Sequence, residues 1–233
     1  MGSEMCIRDR AYFSTIHPGS PPAAAVDFSL LTFKLPCMAT RTFISLKLPP
    51  ELIAETGKLQ SRLESRLATR EVRWTKPEQL HLTLCFLGDV ATERLGQLEA
   101  ALRAACASAR PLNLRLERIG CFPNTSRPNV LWLGVSGDVD ALLALATRIS
   151  NATKEYGAHQ EARAFQAHLT IGRLRQAPPQ ELARIGASIE TARVEPLGEW
   201  TAASVELMSS ELLPSGAKYT QLASIGLPGA PIS

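Results

Sequence analysis

Two tetrapeptides carry the chemistry this sequence can offer. His81-Leu82-Thr83-Leu84 returns 87 residues later (168 against 81) as His168-Leu169-Thr170-Ile171. Two of the chain's four histidines lie in these motifs. In an extended strand, residues i and i+2 share a face. His81 and Thr83 therefore share one face, while Leu80, Leu82, Leu84 and Phe86 are expected on the other, toward a core. His168 and Thr170 repeat the arrangement, with Leu169 and Ile171 opposite. If two such strands meet about a pseudo-two-fold axis, two imidazoles and two hydroxyls form one cluster. Imidazoles titrate near neutrality, so one can donate a proton while the other accepts one. The hydroxyls can donate hydrogen bonds to non-bridging phosphoryl oxygens. A phosphodiester fits between them, with the attacking water on one side and the departing oxygen on the other. The arrangement calls for neither a metal nor another cofactor.

Other chemical signatures are absent. The chain has no GxSxG elbow, no phosphate-binding P-loop, no HExxH and no CxxC. Five cysteines without close pairs, Cys6, Cys37, Cys85, Cys106 and Cys121, fit free thiols in a reducing compartment. Alternation also places Cys85 on the face of His81, but four residues along a strand is about 13 Å. A neutral structural role is expected for it. His17 and His159 carry no expected function. Phe86 and Trp132 are expected in the core rather than as platforms for stacked bases.

The elements that must position the motifs are legible from Arg41 onward. Thr42–Leu48 reads as a strand, and Pro49-Pro50 opens a helix with Leu52, Leu59 and Leu63 on one face. Val72 and Trp74 suggest a short strand, and Leu80–Leu87 a clear one closed by Gly88-Asp89. Ala91–Ser108 reads as helix, then Leu112–Leu116 and Val130–Val135 as strands. A helix from about Asp140 ends before Gly157. Phe165–Leu174 is strand-like, Pro179–Ile189 a short helix, and Ala203–Ser209 and Tyr219–Ser224 two further strands. Consecutive strands among helices indicate an α+β fold, and the partial repetition indicates two related halves.

Length and charge bound the rest. The 233 residues hold 45% apolar residues, enough for a packed core. A balance of 25 basic against 22 acidic residues gives +3, too mild to demand nucleic acid or to exclude it. No uninterrupted apolar run reaches 18 residues, so no membrane span is expected. Residues 1–37 contain Pro18, Pro21, Pro22 and Pro36 and no sustained periodicity. Acidic residues break the pattern of a signal or transit peptide. They are read as a disordered leader or an over-extended start, with Met38 directly before the first strand. Residues 38–226 are expected as one bilobal domain, followed by a tail at 227–233.

The paired motifs resemble those of the two-histidine phosphoesterases. Within that group the chain is most similar to the RNA 2′,3′-cyclic phosphodiesterases, also called LigT-like or ThpR proteins. The resemblance runs from about Arg41 to Leu222. It includes Arg41-Thr42-Phe43-Ile44-Ser45-Leu46, Arg73-Trp74-Thr75-Lys76-Pro77-Glu78-Gln79-Leu80 before His81, and Phe86-Leu87-Gly88 after it. It also includes Phe122-Pro123, Arg127–Gly134, Phe165, His168–Arg173, Leu207–Leu212 and Gly216–Thr220. Many relatives carry Pro before the second histidine, where this chain has Ala167. The resemblance implies a bilobal fold of two pseudo-symmetric halves, with antiparallel sheets lining a central cleft and helices outside. It implies opening of RNA 2′,3′-cyclic phosphates to 2′-phosphomonoesters, and for some relatives 2′,5′ joining of tRNA halves. By the same resemblance His81 would be the proton donor and His168 the proton acceptor. Thr83 and Thr170 would hold the phosphoryl oxygens, and Arg173 would contact the phosphate through its charged fork. A cytoplasmic monomer acting on RNA ends is the expectation. The alternatives are a phosphodiesterase for 2′,5′-linked oligonucleotides or small cyclic nucleotides, and a non-catalytic module that binds RNA ends.

Overall fold

Alternating apolar side chains build two antiparallel sheets, and apolar stripes on four helices cover them. The computed structural model describes residues 38–157, 165–214 and 216–229. Residues 1–37, with His17, and also His159 lie outside the described residues. The described strands are β1 (Ala39–Lys47), β2 (Val72–Trp74), β3 (His81–Ala91), β4 (Leu112–Phe122), β5 (Val130–Gly137), β6 (His168–Leu174), β7 (Gly198–Ala202), β8 (Ser204–Leu213) and β9 (Gly216–Gly226). The helices are α1 (Pro50–Leu67), α2 (Leu95–Cys106), α3 (Val139–Thr153) and α4 (Pro179–Glu190). The fold is therefore α+β, as the sequence indicates.

The first sheet has the order β3-β1-β8-β9 and the second β2-β6-β5-β4-β7. Each sheet draws strands from both halves of the chain. β8 and β9 return from the C-terminal half to pair beside β1, with Phe43 opposite Met208. β2 leaves the N-terminal half to pair with β6, with Arg73 opposite Arg173. The halves of the sequence and the lobes of the molecule are thus not the same partition.

Helix α1 begins on Pro50, where a missing N–H costs nothing. It buries Leu52, Thr56, Leu59, Gln60, Leu63 and Leu67, one stripe at helical spacing. It is capped by Ala68, whose left-handed backbone (φ 48°) lets its N–H bond the Glu64 carbonyl at 3.0 Å. Gln60 on the buried stripe donates to the carbonyls of Thr75 (2.9 Å) and Ile171 (2.8 Å), tying α1 to β2 and β6. Arg184 of α4 donates to the Leu67 carbonyl, which sets α4 beside α1. Helices α2 and α3 pack on each other and against β9 and β3 of the first sheet.

Some boundaries differ from the sequence expectation. β3 does not stop at Gly88-Asp89 but continues to Ala91, paired with Ala39. Gly88 takes φ 70° inside the strand, a conformation open to glycine. A 3₁₀ turn at Thr92–Arg94 then delays α2 to Leu95. β6 starts at His168 rather than Phe165. β7 has no counterpart in the expectation, because its five residues follow Pro196 and begin on Gly198. Leu227 is buried just past β9, with its N–H bonded to the Ala203 carbonyl.

Candidate active site

The two motif strands come together although they belong to different sheets. β3 is one edge of the first sheet, and it packs against β6 of the second. Between the sheets lies a cleft of about 420 Å³. His81, Thr83, Thr170 and Arg173 all line it, together with Arg41, Phe43, Arg73, Phe86 and Tyr219. His168 shares the strand face of Thr170, two residues earlier, but is not among the lining residues. Its ring meets the edge of Phe122 at 5.1 Å between centroids.

Both histidine rings are held in the same way. Nδ1 of His81 lies 2.7 Å from the Gln79 carbonyl oxygen, and Nδ1 of His168 lies 2.7 Å from that of Gln166. A carbonyl oxygen only accepts, so each Nδ1 donates its proton. Each Nε2 is then the nitrogen that gains or loses a proton. The identical offset of two residues follows from the identical entry of each motif into its strand.

The surroundings of the two rings differ. His81 sits against Phe43 (4.7 Å between centroids) and the edge of Tyr219 (5.2 Å), and those two rings meet at 5.0 Å. Burial in this aromatic cage pushes the His81 pKa below its ordinary value. The Gln79 bond works upward and the Arg173 charge downward. His168, by contrast, bonds Gln166 at an exposed position. Gln79 has a second task, since its side-chain amide donates to the Ala217 carbonyl in β9. The segment that orients His81 is thereby fastened to the β8–β9 hairpin.

Bulges decide which further side chains reach the cleft. Along β3, Ser45 faces Thr83 and Ile44 faces Cys85, so Leu84 has no partner; Leu87 is likewise skipped. Each extra residue reverses the alternation. Cys85 is therefore not on the face of His81 but 9% exposed in the core. Phe86, expected in the core, instead lines the cleft with the Arg41 guanidinium 4.9 Å over its ring. On β6, Trp132 faces Thr170 and Leu131 faces Gly172, so Ile171 is the extra residue. Simple alternation would point Arg173 away from Thr170, and this bulge returns it to the cleft. Trp132, opposite Thr170, lies on the Thr170 side of the second sheet rather than in the core, packed on Phe122 at 5.2 Å.

Arg41, Phe43, Arg73, Gln79 and Tyr219 were not singled out by the chemistry of the motifs. All five lie in the stretches that carry the family resemblance, the one signal that marks them. Among the described residues, no three His, Cys, Asp or Glu side chains converge as a metal site would require. No described helix is long and apolar enough to cross a membrane.

A cleft between two sheets, with a His-x-Thr strand on each side, defines a class of phosphoesterase. The chain belongs to the LigT like Phosphoesterase family, whose pattern matches it twice, at residues 46–132 and 133–219. Each histidine motif begins 35 residues after the start of its match (81 against 46, 168 against 133). Among its relatives is the RNA 2′,3′-cyclic phosphodiesterase of Archaeoglobus fulgidus, 33% identical over 71% of this chain and 89% of that protein. The RNA 2′,3′-cyclic phosphodiesterase of Methanothermobacter thermautotrophicus is 29% identical over 79% of this chain and 97% of that protein. Two solved structures share the fold. A Thermus thermophilus protein has a TM-score of 0.65 at 29% identity, over 81% of this chain and 98% of its own. LigT of E. coli complexed with 3′-AMP has a TM-score of 0.64 at 25% identity, over 82% of this chain and 99% of its own.

Proposed function

We propose that this protein opens RNA 2′,3′-cyclic phosphate ends to 2′-phosphomonoesters, with His81 as proton donor and His168 as proton acceptor. The observation that carries the reading is the matched pair of imidazoles. Each is locked through Nδ1 and offers Nε2 on one of two strands that pack together. Thr83 and Thr170 hold the non-bridging oxygens, and Arg173 balances the phosphoryl charge. Water attacks phosphorus as His168 Nε2 takes its proton. The P–O3′ bond breaks as His81 Nε2 protonates the departing 3′ oxygen. One water is consumed, and the product keeps phosphate on the 2′ oxygen.

The different settings of the rings support this division. His168 is half-buried and its bond to Gln166 is exposed, which gives water a route to the base. The Phe43 and Tyr219 rings that flank His81 limit the water around its imidazole. Its lowered pKa makes the imidazolium a stronger acid, and the anionic substrate supplies the charge that keeps it protonated. A 5′-hydroxyl in place of water gives a 2′,5′ linkage, so joining of RNA ends such as tRNA halves uses the same groups. The reading describes a cytoplasmic monomer.

The test is cleavage of a short RNA ending in a 2′,3′-cyclic phosphate, with EDTA present. A 2′-phosphate product is expected. His81→Gln and His168→Gln should each lower turnover by about 10²–10⁴, the usual worth of one general acid or base. No turnover by folded protein refutes the reading, and moves the weight to another phosphodiester or to RNA-end binding. Full activity in either variant refutes the mechanism.

A further inference from the structure

The cleft carries more positive charge than the proposed reaction uses. Arg41, Arg73 and Arg173 line it, and no Asp or Glu is among the described lining residues. A cyclic phosphodiester brings a single negative charge, which Arg173 beside Thr170 already meets. Arg41 has company of its own, since it lies over the Phe86 ring and faces Asp89 across the strand pair.

Arg73 is placed differently. Its direct partner across β2 and β6 is Arg173. Like charges directly opposite on neighbouring strands are destabilising. Neither arginine has a carboxylate within ion-pair distance among the described residues. The Arg73 guanidinium reaches from β2 to the β8–β9 hairpin, where Nη2 lies 3.0 Å from the position of a Cβ at Gly216. Beside it the hairpin presents Leu212 and Leu213, 68% and 38% exposed, and Pro214. An unneutralised guanidinium next to an exposed apolar tip matches a nucleotide, an ionised phosphate joined through a sugar to a flat, weakly polar base. Two guanidiniums on neighbouring strands can hold two phosphates in succession.

We propose that Arg73 binds the 3′,5′-phosphodiester one nucleotide upstream of the reacting end, with that nucleotide's base on the hairpin tip at Leu212–Pro214. The substrate class is then an oligonucleotide end rather than a free cyclic mononucleotide. This rests on the proposed function for the end group, but the added phosphate can be tested by affinity alone.

The probes are adenosine 2′-phosphate and the dinucleotide adenylyl-(3′,5′)-adenosine 2′-phosphate, titrated calorimetrically against the full chain. Wild type should bind the dinucleotide at least about tenfold more tightly, the worth of one charged hydrogen bond. Its affinity should fall more steeply with salt, the log–log slope differing by about 0.7 for one extra phosphate contact. Arg73→Gln should bring the ratio of the two affinities near one and remove the difference in slope. Arg73→Lys should keep most of both. A purely structural Arg73 would lower thermal stability when replaced, whereas loss of the opposed pair should leave the midpoint equal or higher. Equal affinities in wild type, or an unchanged ratio in Arg73→Gln, overturns the proposal. Cleavage of a cyclic-phosphate RNA is assayed on the same samples. Preference for the dinucleotide without cleavage would sink the hydrolytic reading and keep the upstream phosphate site. Cleavage without the preference would do the reverse.

Discussion

Gly120→Ala should disable the site without touching it. Gly120 of β4 lies directly opposite Trp132 of β5. A Cβ at Gly120 would stand 2.3 Å from Cζ2 and 2.5 Å from Cη2 of the Trp132 indole, where ordinary contact is 3.4–4 Å. The ring must retreat by about 1 Å, because interiors do not compress. It cannot move alone: Trp132 touches Phe122 at 5.2 Å, and Phe122 meets His168 at 5.1 Å. Overpacking of this kind costs about 1–3 kcal/mol. In a domain of this size that lowers the melting midpoint by about 2–12 °C. Displacing a catalytic group by 1 Å costs on the order of 10²-fold in rate. The assay pairs thermal unfolding with kcat on an RNA ending in a 2′,3′-cyclic phosphate. Well below the midpoint, kcat should fall at least tenfold. Adding Trp132→Leu makes room for the methyl, so the double variant should recover stability relative to Gly120→Ala, a coupling that a cycle measures. Wild-type midpoint and kcat in Gly120→Ala would refute the transmission through the rings.

Four further outcomes follow from three named groups. Gln60→Leu leaves the Thr75 carbonyl and part of the Ile171 carbonyl unsatisfied beside a side chain only 7% exposed; denaturant unfolding should show a loss of about 1–3 kcal/mol. The His81 pKa is depressed in the fold, so the unfolded chain binds the extra proton; its contribution is present above about pH 6.5 and lost as pH falls below it, and His81→Gln should flatten that part of the midpoint-against-pH curve. Binding of an anionic nucleotide should raise the same pKa again, so calorimetry at pH 7 in buffers of different ionisation heat should show proton uptake that His81→Gln removes, and uptake unchanged in that variant would refute His81 as its source. Glu181, held down to about 2 by Arg184 and Thr69, contributes above about pH 4.5 and loses that contribution as pH falls toward 2, which an acid titration of Glu181→Gln against wild type checks.

The motif chemistry was legible because it depends on residue type and on the period of a strand. His-x-Thr states both the groups and their common face, and the repetition separates it from chance. The helices were legible for the same reason, as Leu52, Leu59 and Leu63 recur at helical spacing. Bulges were not legible. Nothing in Leu84 or Ile171 marks it as the residue a partner strand will skip, yet each skip moves a side chain from one face to the other. Cys85, Phe86 and Trp132 were misplaced because face assignments assumed unbroken alternation or strand neighbours alone. The opposition of Arg73 and Arg173 was hidden by distance along the chain, since only the pairing of β2 with β6 brings them together.

The exchange of strands between sheets sets an order of events for a growing chain. β1 is made early, but one of its flanks waits for β8, so Thr42 meets Ser209 only after most of the sequence exists. Until then β1 presents an open edge able to pair with whatever strand is near. Tyr219, which closes the cage around His81, comes later still. A ribosome-bound fragment that already carries both motifs therefore lacks the wall of its own reaction chamber.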